Sequence, residues 1–253
     1  MCNECGCDEK LENSIENNKF DIKEESNNNN EIKIEKNILD ENDLIADKIN
    51  HEFIHKEILC VNILGSPGSG KTTFIENISK YLGSDKIFVI QGDLESDVDK
   101  IRLEKQNIKT FQINTHSGCH LNSEMIFDAL KKINLEGINY LFIENIGNLV
   151  CPANIKLGQE IDIIISSTTE GSDKPKKYPI IFNNADAILI SKMDLAKHVA
   201  FNKQEYVSDL KQINNKGEIF YVSSKKEDSF RKVADFFKKN LDKLKEKSKK
   251  HNH

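Results

Sequence analysis

The sequence lacks any long apolar run and any excess of positive charge, and each absence excludes a class of protein. No stretch approaches the roughly 18 consecutive apolar residues of a membrane-spanning helix. The amino terminus is acidic and cysteine-rich, without the apolar core of a signal peptide. The formal net charge of −5 at pH 7 gives no electrostatic reason to bind nucleic acid or an anionic membrane. The sequence therefore predicts a cytoplasmic protein, in which clustered cysteines bind metal more often than they form disulfides.

The composition divides the 253-residue chain into four segments. Half of the six cysteines lie in residues 1–7, which indicates a metal-binding motif. Residues 8–41 are rich in Glu, Lys and Asn and hold few large apolar side chains, so they are predicted as a flexible polar linker. Residues 42–247 carry the apolar segments of one α/β domain, and residues 248–253 form a basic tail.

Short apolar segments alternate with amphipathic ones through the predicted domain. The strand-like segments are residues 58–64, 87–91, 110–113, 140–143, 161–166, 187–190 and 219–222. The segments with a helical spacing of apolar residues are 43–56, 72–82, 96–106, 123–133, 202–213 and 230–247. Short buried strands that alternate with helices predict an α/β fold, with a doubly wound, mainly parallel sheet and helices on both faces.

A glycine-rich segment, GSPGSGKT, fits the pattern G-x-x-x-x-G-K-[ST] between a predicted strand and a predicted helix. Gly65 and Gly70 let the backbone wrap around phosphates, whose charge the loop amides and the helix amino terminus receive. Lys71 can reach the β and γ phosphates, and the Thr72 hydroxyl can bind Mg²⁺. An ordinary glycine-rich turn is the alternative, but the complete motif in this context predicts a P-loop NTPase. The predicted phosphate-binding residues are Gly65, Ser66, Gly68, Ser69, Gly70, Lys71, Thr72 and Thr73.

The segment SKMD resembles the N-K-x-D element with which GTPases recognise guanine, and it begins with Ser191 where asparagine is usual. Asp194 would accept hydrogen bonds from N1 and N2 of the base, and the stem of Lys192 would lie along the ring. Ser223 and Ser224 resemble the small-residue loop that covers guanine. A helix amino-terminal cap is the alternative role for Asp194, but the two elements together favour GTP as the nucleotide.

Two carboxylates follow predicted strands, at the edge of the sheet where ligands bind in open α/β folds. Glu144 could hold Mg²⁺ through a water, and the Gly147 amide could contact the γ phosphate. Asp93 could either contact Mg²⁺ or orient the attacking water. Lys71, Asp93 and Glu144 are therefore the predicted catalytic residues, and Mg²⁺ is a predicted cofactor bound by Thr72, Asp93 and Glu144.

A second group of residues has ligands of another kind. Cys119 and His120 are adjacent, and Cys151 follows Gly147 by only four residues. Thiolate and imidazole bind Zn²⁺, Ni²⁺ or copper rather than Mg²⁺, and a metal held there would respond to the nucleotide state. Three ligands are one short of a closed tetrahedral site, so either a second copy of the chain shares the metal or a water completes the coordination. His116 is a candidate for an additional ligand.

Several motifs occur together and in one order along the chain. They are C-x-x-C-G-C at the amino terminus, then SPGSGKTT, GCHLNSEMI, FIENIGNLVCPA, TTEGSDKPKKYP and LISKMDL. The combination resembles the HypB family of hydrogenase nickel-incorporation GTPases, over residues 59–222 and the first seven residues. Urease GTPase relatives share the fold but lack the cysteine-rich start and the NLVCPA stretch.

The resemblance implies a GTPase that helps insert nickel into the large subunit of [NiFe] hydrogenase. A GTP-dependent homodimer is implied, together with a hydrogenase accessory protein or the large-subunit precursor as partner. The implied metal ligands are Cys2, Cys5, Cys7 and the terminal amine for a tight nickel site, and Cys119, His120 and Cys151 for a weaker nickel or zinc site. No histidine precedes His51, so the histidine-rich metal store of some members is not expected.

The amino-terminal thiols also predict metal binding by their own chemistry. Three thiolates beside an amine form a set of four ligands that Ni²⁺ can bind in a square plane and Zn²⁺ as a tetrahedron. A structural zinc knuckle or adventitious thiols are the alternatives. A flexible linker of this length spans roughly 30 Å, so the terminal site could reach the second site or a partner.

The predicted function is that of a nickel chaperone driven by GTP hydrolysis. A nickel or zinc buffer with incidental nucleotide turnover is one alternative, and another P-loop metal-centre chaperone is a second. A P-loop kinase is a third, which the guanine-like SKMD element disfavours.

Overall fold

The computed structural model describes residues 25–93, 98–115 and 118–251, and only the backbone of residues 25–38, Asp93 and His251. The chain divides into two units, residues 1–38 and 39–253. The described part of the first unit is the start of helix α1, Glu25–His55. The second unit holds the sheet and the other helices.

The described part of the domain contains one sheet of seven strands. The strands are β1 (Leu59–Leu64), β2 (Ile87–Asp93), β3 (Lys109–Asn114), β4 (Tyr140–Glu144), β5 (Ile161–Ser167), β6 (Ala187–Ser191) and β7 (Glu218–Tyr221). Their order is β3-β2-β4-β1-β5-β6-β7, and each neighbouring pair is parallel. The predicted doubly wound, parallel sheet is confirmed, and its strand ends form the crevice where such folds bind ligands.

The remaining helices connect the strands. They are α2 (Lys71–Leu82), α3 (Val98–Glu104), α4 (Ser123–Leu130), α5 (Lys174–Lys177), α6 (Pro179–Asn184), α7 (Lys203–Ile213) and α8 (Arg231–His251). α3 and α4 are shorter than predicted. α5 and α6 were not predicted, because helices of four and six residues are too short to show an apolar repeat. Among the described residues, no helix combines the length and apolar character needed to cross a bilayer.

Helix α1 begins inside the segment that was predicted as a flexible linker. Residues 25–41 are helical, so the structure differs from that prediction there. Residues 8–24 lie outside the described residues. Extending an existing helix costs less than nucleating one, and the Glu and Lys residues of this segment are good helix formers. The helix predicted for residues 43–56 therefore continues toward the amino terminus.

Successive side chains of β1 pack on opposite faces of the sheet. Leu59, Val61 and Ile63 are fully buried in a core with α2 and α8. Cys60 lies on the other face, in a core that includes Phe53 of α1 and side chains of α4. A third core lies under α6 and α7. Burial of each large aliphatic side chain contributes about 1.5–3 kcal/mol to the stability of the fold. Because side chains alternate between the two faces of a strand, both faces gain this stability only when helices cover both.

Candidate active site and metal centre

The loop between β1 and α2 has a backbone that requires glycine. Gly68 and Gly70 have φ angles of 73° and 100°, in the left-handed region. A Cβ at Gly65 would lie 2.5 Å from the carbonyl oxygen of Ile165. α2 begins at Lys71 and has no acidic residue in its first turn, so its unpaired amides keep their positive potential. The loop can therefore hold an anion such as a phosphate.

Thr72 and Glu144 meet beside this loop. Thr72 Oγ1 donates to Glu144 Oε1 at 2.8 Å, and Gln91 Nε2 donates to Glu144 Oε2 at 3.0 Å. Burial raises the pKa of Glu144, while these two hydrogen bonds and the nearby Lys71 oppose the rise. A hydroxyl and a carboxylate are hard oxygen ligands, so the pair fits Mg²⁺. Gln91 was not predicted, because only its position opposite Glu144 in the β2–β4 register brings it to the site.

Lys71 and Asp93 are the other two predicted catalytic residues. Lys71 Nζ donates to the carbonyl oxygens of Gly65 at 3.2 Å and Ser66 at 3.3 Å. Burial lowers the pKa of Lys71, and the carboxylates of Glu144 and Glu170 raise it. Asp93 ends β2, but its side chain lies outside the described part of the chain, so its role stays a prediction.

A cavity of about 560 Å³ lies over the loop between β1 and α2, and one of the residues that line it was not predicted from the sequence. Arg102 of α3 lines this cavity. Its guanidinium donates to Glu76 Oε2 at 2.8 Å, to Asp99 Oδ1 at 2.9 Å and to Thr73 Oγ1 at 3.3 Å. Sequence patterns mark Arg102 only as a polar residue of an amphipathic segment. Asp99 pairs with Arg102 at the cavity wall.

The two predicted guanine-binding elements lie together. Asp194 Oδ1 accepts a hydrogen bond from Ser223 Oγ at 2.5 Å. Ser223 is buried, and its hydroxyl also accepts from the Lys225 amide at 3.1 Å. Ser224 follows at the surface. The carboxylate of Asp194 is thereby held in one orientation by the loop after β7.

The residues before Asp194 contact the P-loop directly. Lys192 has a φ of 53°, and its Nζ donates to the carbonyl oxygen of Gly68 at 2.7 Å. Ser191 Oγ donates to the carbonyl oxygen of Ser69 at 2.7 Å. The serine at the usual asparagine position therefore binds the phosphate loop.

Cys119, His120 and Cys151 come together from two loops. One ligand atom of each lies within 4.8 Å of the others, and Cys119 Sγ is 3.4 Å from His120 Nδ1. A hydrogen bond with the Cys151 thiol raises the pKa of Cys119, and burial lowers the pKa of His120, which favours the neutral imidazole. Cys119 is exposed, so a metal can enter from solvent. Two sulfurs and an imidazole nitrogen fit Ni²⁺ or Zn²⁺.

The segment after β4 lies between the P-loop and this metal cluster. Gly65 and Asn148 form an isolated antiparallel bridge. A Cβ at Gly147 would lie 2.9 Å from the backbone nitrogen of Pro67, so this segment packs directly on the loop. On its other side, Asn148 Nδ2 donates to the carbonyl oxygen of Cys119 at 3.4 Å. Both candidate sites therefore contact the same few residues.

Four predicted metal-binding positions lie outside the described residues. They are Cys2, Cys5, Cys7 and the additional candidate His116. The terminal nickel site therefore remains a prediction from the sequence.

Residues 59–221 match the family described as CobW/HypB/UreG, nucleotide-binding domain. The hydrogenase/urease maturation factor HypB of Helicobacter hepaticus is 39% identical over 214 residues, which cover 83% of this chain and 88% of that protein. The probable hydrogenase maturation factor HypB of Methanocaldococcus jannaschii is 39% identical over 216 residues, which cover 85% of this chain and 97% of that protein.

Solved structures show the same relationship. The crystal structure of HypB from Helicobacter pylori in complex with nickel superposes with a TM-score of 0.76 and 36% identity, over 80% of this chain and 96% of that one. The structure of HypB from Archaeoglobus fulgidus gives a TM-score of 0.75, also with 36% identity, and covers 80% of this chain and 100% of that one. The chain therefore belongs to the CobW/HypB/UreG family of nucleotide-binding proteins, among the HypB maturation factors.

Proposed function

We propose that this protein is a GTP-hydrolysing nickel chaperone that delivers nickel to the large subunit of an [NiFe] hydrogenase, directly or through an accessory protein. The observation that carries the proposal is the position of the Cys119, His120 and Cys151 cluster against the segment that contacts the P-loop. The similarity to hydrogenase maturation factors and to a HypB crystal structure that contains nickel supports it.

The phosphate end of the site would use the residues that meet beside the P-loop. Lys71 would bind the β and γ phosphates in place of its present carbonyl partners and neutralise charge as the terminal bond breaks. Thr72 and Glu144 would hold Mg²⁺, which when bound neutralises phosphate charge. Asp93 would bind the same ion or orient the attacking water. The Gly147 amide would donate to the γ phosphate, so the segment that carries it would report the presence of the triphosphate.

The base end would use the Asp194 carboxylate. Its hydrogen bond from Ser223 fixes the orientation of the carboxylate before guanine binds. The remaining acceptor positions would bind N1 and N2 of guanine, which adenine cannot match. The stem of Lys192 would lie along the ring, and Ser223 and Ser224 would cover it. GTP and GDP are therefore the proposed nucleotides.

Nickel is the cargo in this proposal, and zinc competes for the same donors. The cluster supplies three ligands, and a fourth would come from the second subunit of a GTP-dependent homodimer or from a water. Cys2, Cys5, Cys7 and the terminal amine would form a tighter site that loads the cluster or a partner. Thiol ligands must stay reduced to bind metal, which supports a cytoplasmic location.

Nucleotide exchange would release the metal by changing the affinity of the cluster. A coupling of typical size, about 1–3 kcal/mol, changes affinity about 5–150-fold. That change is large enough to transfer metal from the cluster to an acceptor, but too small to empty a very tight terminal site. We therefore assign the nucleotide-dependent step to the cluster and the loading step to residues 1–7.

Nickel titration of the full-length protein with GDP or a non-hydrolysable GTP analogue tests this function. We expect the affinity of one nickel site to differ at least 5-fold between the two states, with dimer formation in the GTP-analogue state alone. Metal analysis and native mass measurement give both quantities. Equal nickel affinity in both states would instead indicate a metal buffer with incidental nucleotide turnover.

A further inference from the structure

A buried side-chain amide lies at the junction of the two sites. Asn145 directly follows Glu144 and is 1% exposed. Its Oδ1 accepts hydrogen bonds from two backbone amides, that of Leu121 at 3.3 Å and that of Ile146 at 2.9 Å. Its Nδ2 donates to Asn62 Oδ1 at 3.3 Å. One planar amide therefore contacts the next residue of its own segment and two distant parts of the chain.

The two amides that share Asn145 Oδ1 belong to different sites. Leu121 directly follows the metal-ligand candidate His120 and is fully buried. Ile146 directly precedes Gly147, which packs on the P-loop and is proposed to contact the γ phosphate. A carbonyl oxygen has two lone pairs, and both are used here. If the Ile146 amide moves toward the nucleotide, its hydrogen bond to Asn145 Oδ1 changes. The hydrogen bond from the Leu121 amide must then change as well, because it uses the same oxygen.

A network of buried and partly buried polar groups keeps the Asn145 amide in this orientation. Asn62 lies in the centre of β1, is fully buried, and donates to Asp162 Oδ1 of β5 at 2.8 Å. Gln159 Nε2 donates to both oxygens of Asp162, at 3.0 and 2.9 Å. Polar groups in a sheet interior stabilise a fold less than apolar ones of similar volume unless they are fully paired. The groups of this network are paired, so their hydrogen bonds hold the Asn145 amide in one orientation.

We propose that Asn145 is the positioning residue through which the nucleotide changes the geometry of the metal cluster. Asn145 lies almost fully buried at the edge of the cavity over the P-loop, and it acts through the Leu121 and Ile146 amides. This inference rests on the proposed function, because it needs a nickel affinity that depends on the nucleotide. It adds a specific route for that dependence, separate from the short stretch of chain between Gly147 and Cys151.

The test compares nickel affinity in two nucleotide states for Asn145→Ala. The background is the full-length chain with Cys2, Cys5 and Cys7 replaced by alanine, so that nickel is counted at the cluster alone. Thiolate-to-nickel absorption reports binding with GDP and with a non-hydrolysable GTP analogue. We expect the ratio of the two affinities to fall from at least 5-fold to below 2-fold, while nickel and nucleotide each still bind.

Asn214 offers a matched control. It is also a buried asparagine, it donates to the carbonyl oxygens of Phe182 and Ala185, and its Oδ1 also accepts from two backbone amides, those of Lys216 and Gly217. Asn214→Ala therefore removes a comparable set of hydrogen bonds, and among the described residues none of them reaches the loop that carries Cys119 and His120. This variant should keep the full ratio. An unchanged ratio in Asn145→Ala, or an equal loss in Asn214→Ala, overturns the proposal.

Two further outcomes are distinguishable. If the parent chain itself shows equal nickel affinity in both nucleotide states, the proposed function fails and this inference fails with it. If Asn145→Ala does not fold, amide hydrogen exchange of the parent protein tests the proposed route in its place. Replacing GDP with the GTP analogue, without metal, should change the protection of the Leu121 amide, and unchanged protection there contradicts the route.

Discussion

The nucleotide site and the metal cluster are built in opposite ways. Most of the nucleotide site is one contiguous loop whose partners are buried, such as Glu144, which is 6% exposed. The metal cluster joins two loops near the surface, and Cys119 is exposed. Exposed loops with few buried contacts change position at a lower free energy than packed strand ends do. If the two sites are coupled as proposed, the difference predicts that the P-loop keeps its geometry while the cluster adapts to it. The free energy of that proposed coupling would be the same in both directions.

The largest expected effect is the effect on GTP hydrolysis of a substitution in the nucleotide site alone. Lys71→Ala removes the ammonium that would bind the phosphates, so we expect it to abolish nucleotide binding and, with it, GTP hydrolysis. Phosphate release measures this loss. Nickel bound per chain in the absence of nucleotide should equal that of the wild type, as metal analysis will show.

The matched control for this variant is Lys80→Ala. Lys80 lies on the same helix, half exposed, and pairs with Glu227 at 3.4 Å. Its hydrolysis rate should stay near that of the wild type. If the Lys71 variant lost its nickel as well, the two sites would not be separable.

The next largest expected effect is the effect on nickel affinity of a substitution in the metal cluster alone. Loss of an outer-shell partner costs about 10–100-fold in metal affinity, so Cys151→Ala, which removes a ligand, should cost at least as much at the cluster. The nucleotide dependence of nickel affinity should disappear, while GTP hydrolysis without nickel continues. Nickel titration and phosphate release measure the two properties in the chain that lacks the terminal cysteines.

Cys60→Ala controls for the loss of a thiol. Cys60 is fully buried in β1, and burial raises its pKa, so it is not a candidate ligand. Its nickel affinity should match that of the parent chain. A Cys151 variant that kept the nucleotide dependence would remove the basis for placing the coupled metal at this cluster.

The polar network of Asn62, Asp162 and Gln159 should stabilise the fold less at neutral pH than at acid pH. Burial raises the pKa of Asp162 to about 6, above the value of about 3.9 for an unfolded aspartate. The folded protein thus binds this proton more tightly, and the resulting stability is present below about pH 4 and lost as the pH rises to about 6. The unfolding free energy of the wild type minus that of Asp162→Asn should fall by about 2 kcal/mol over this interval.

Denaturant titrations at several pH values measure that difference, and the comparison with the variant removes the contribution of the other carboxylates. A difference that does not change with pH would mean that Asp162 is as well solvated when folded as when unfolded.

The smallest expected effect is on guanine binding. Ser223→Ala removes the hydrogen bond to Asp194, which is worth about 1 kcal/mol or roughly 5-fold in GDP affinity. Calorimetry or fluorescence titration measures it. Ser229→Ala is the control, since Ser229 bonds to the same loop but not to Asp194. An equal loss in both variants would assign the effect to the loop rather than to the carboxylate.

Local patterns in the sequence were sufficient for much of the fold. Apolar segments of four to seven residues predicted each strand within about two residues, because buried parallel strands are apolar on both faces. The eight residues of GSPGSGKT predicted the phosphate loop, because its geometry depends on glycines at fixed positions within one short stretch of chain. Predictions failed where no repeat exists, in the short helices α5 and α6, and where a helix extends into a polar segment, in α1.

Residues that act through tertiary contacts could not be found this way. No motif marks Gln91 or Arg102 in the sequence. Asn145 lies within the motif FIENIGNLVCPA, but the motif assigns it no role. Gln91 is placed by the register of β2 on β4, Arg102 by the packing of α3 beside α2, and Asn145 by its position between two loops.

The sequence by itself determined the chemistry of this protein: a phosphate loop, a guanine-like element, and thiol and imidazole donors, each specified by residue type and spacing. Tertiary structure alone decided that Cys119 and Cys151 are neighbours, although β2 separates the strands that precede them. It also decided that the segment after β4 touches both the P-loop and the metal loop. The physical reason is that parallel strands collect their carboxyl ends at one edge, where distant loops meet in an order that local patterns do not contain.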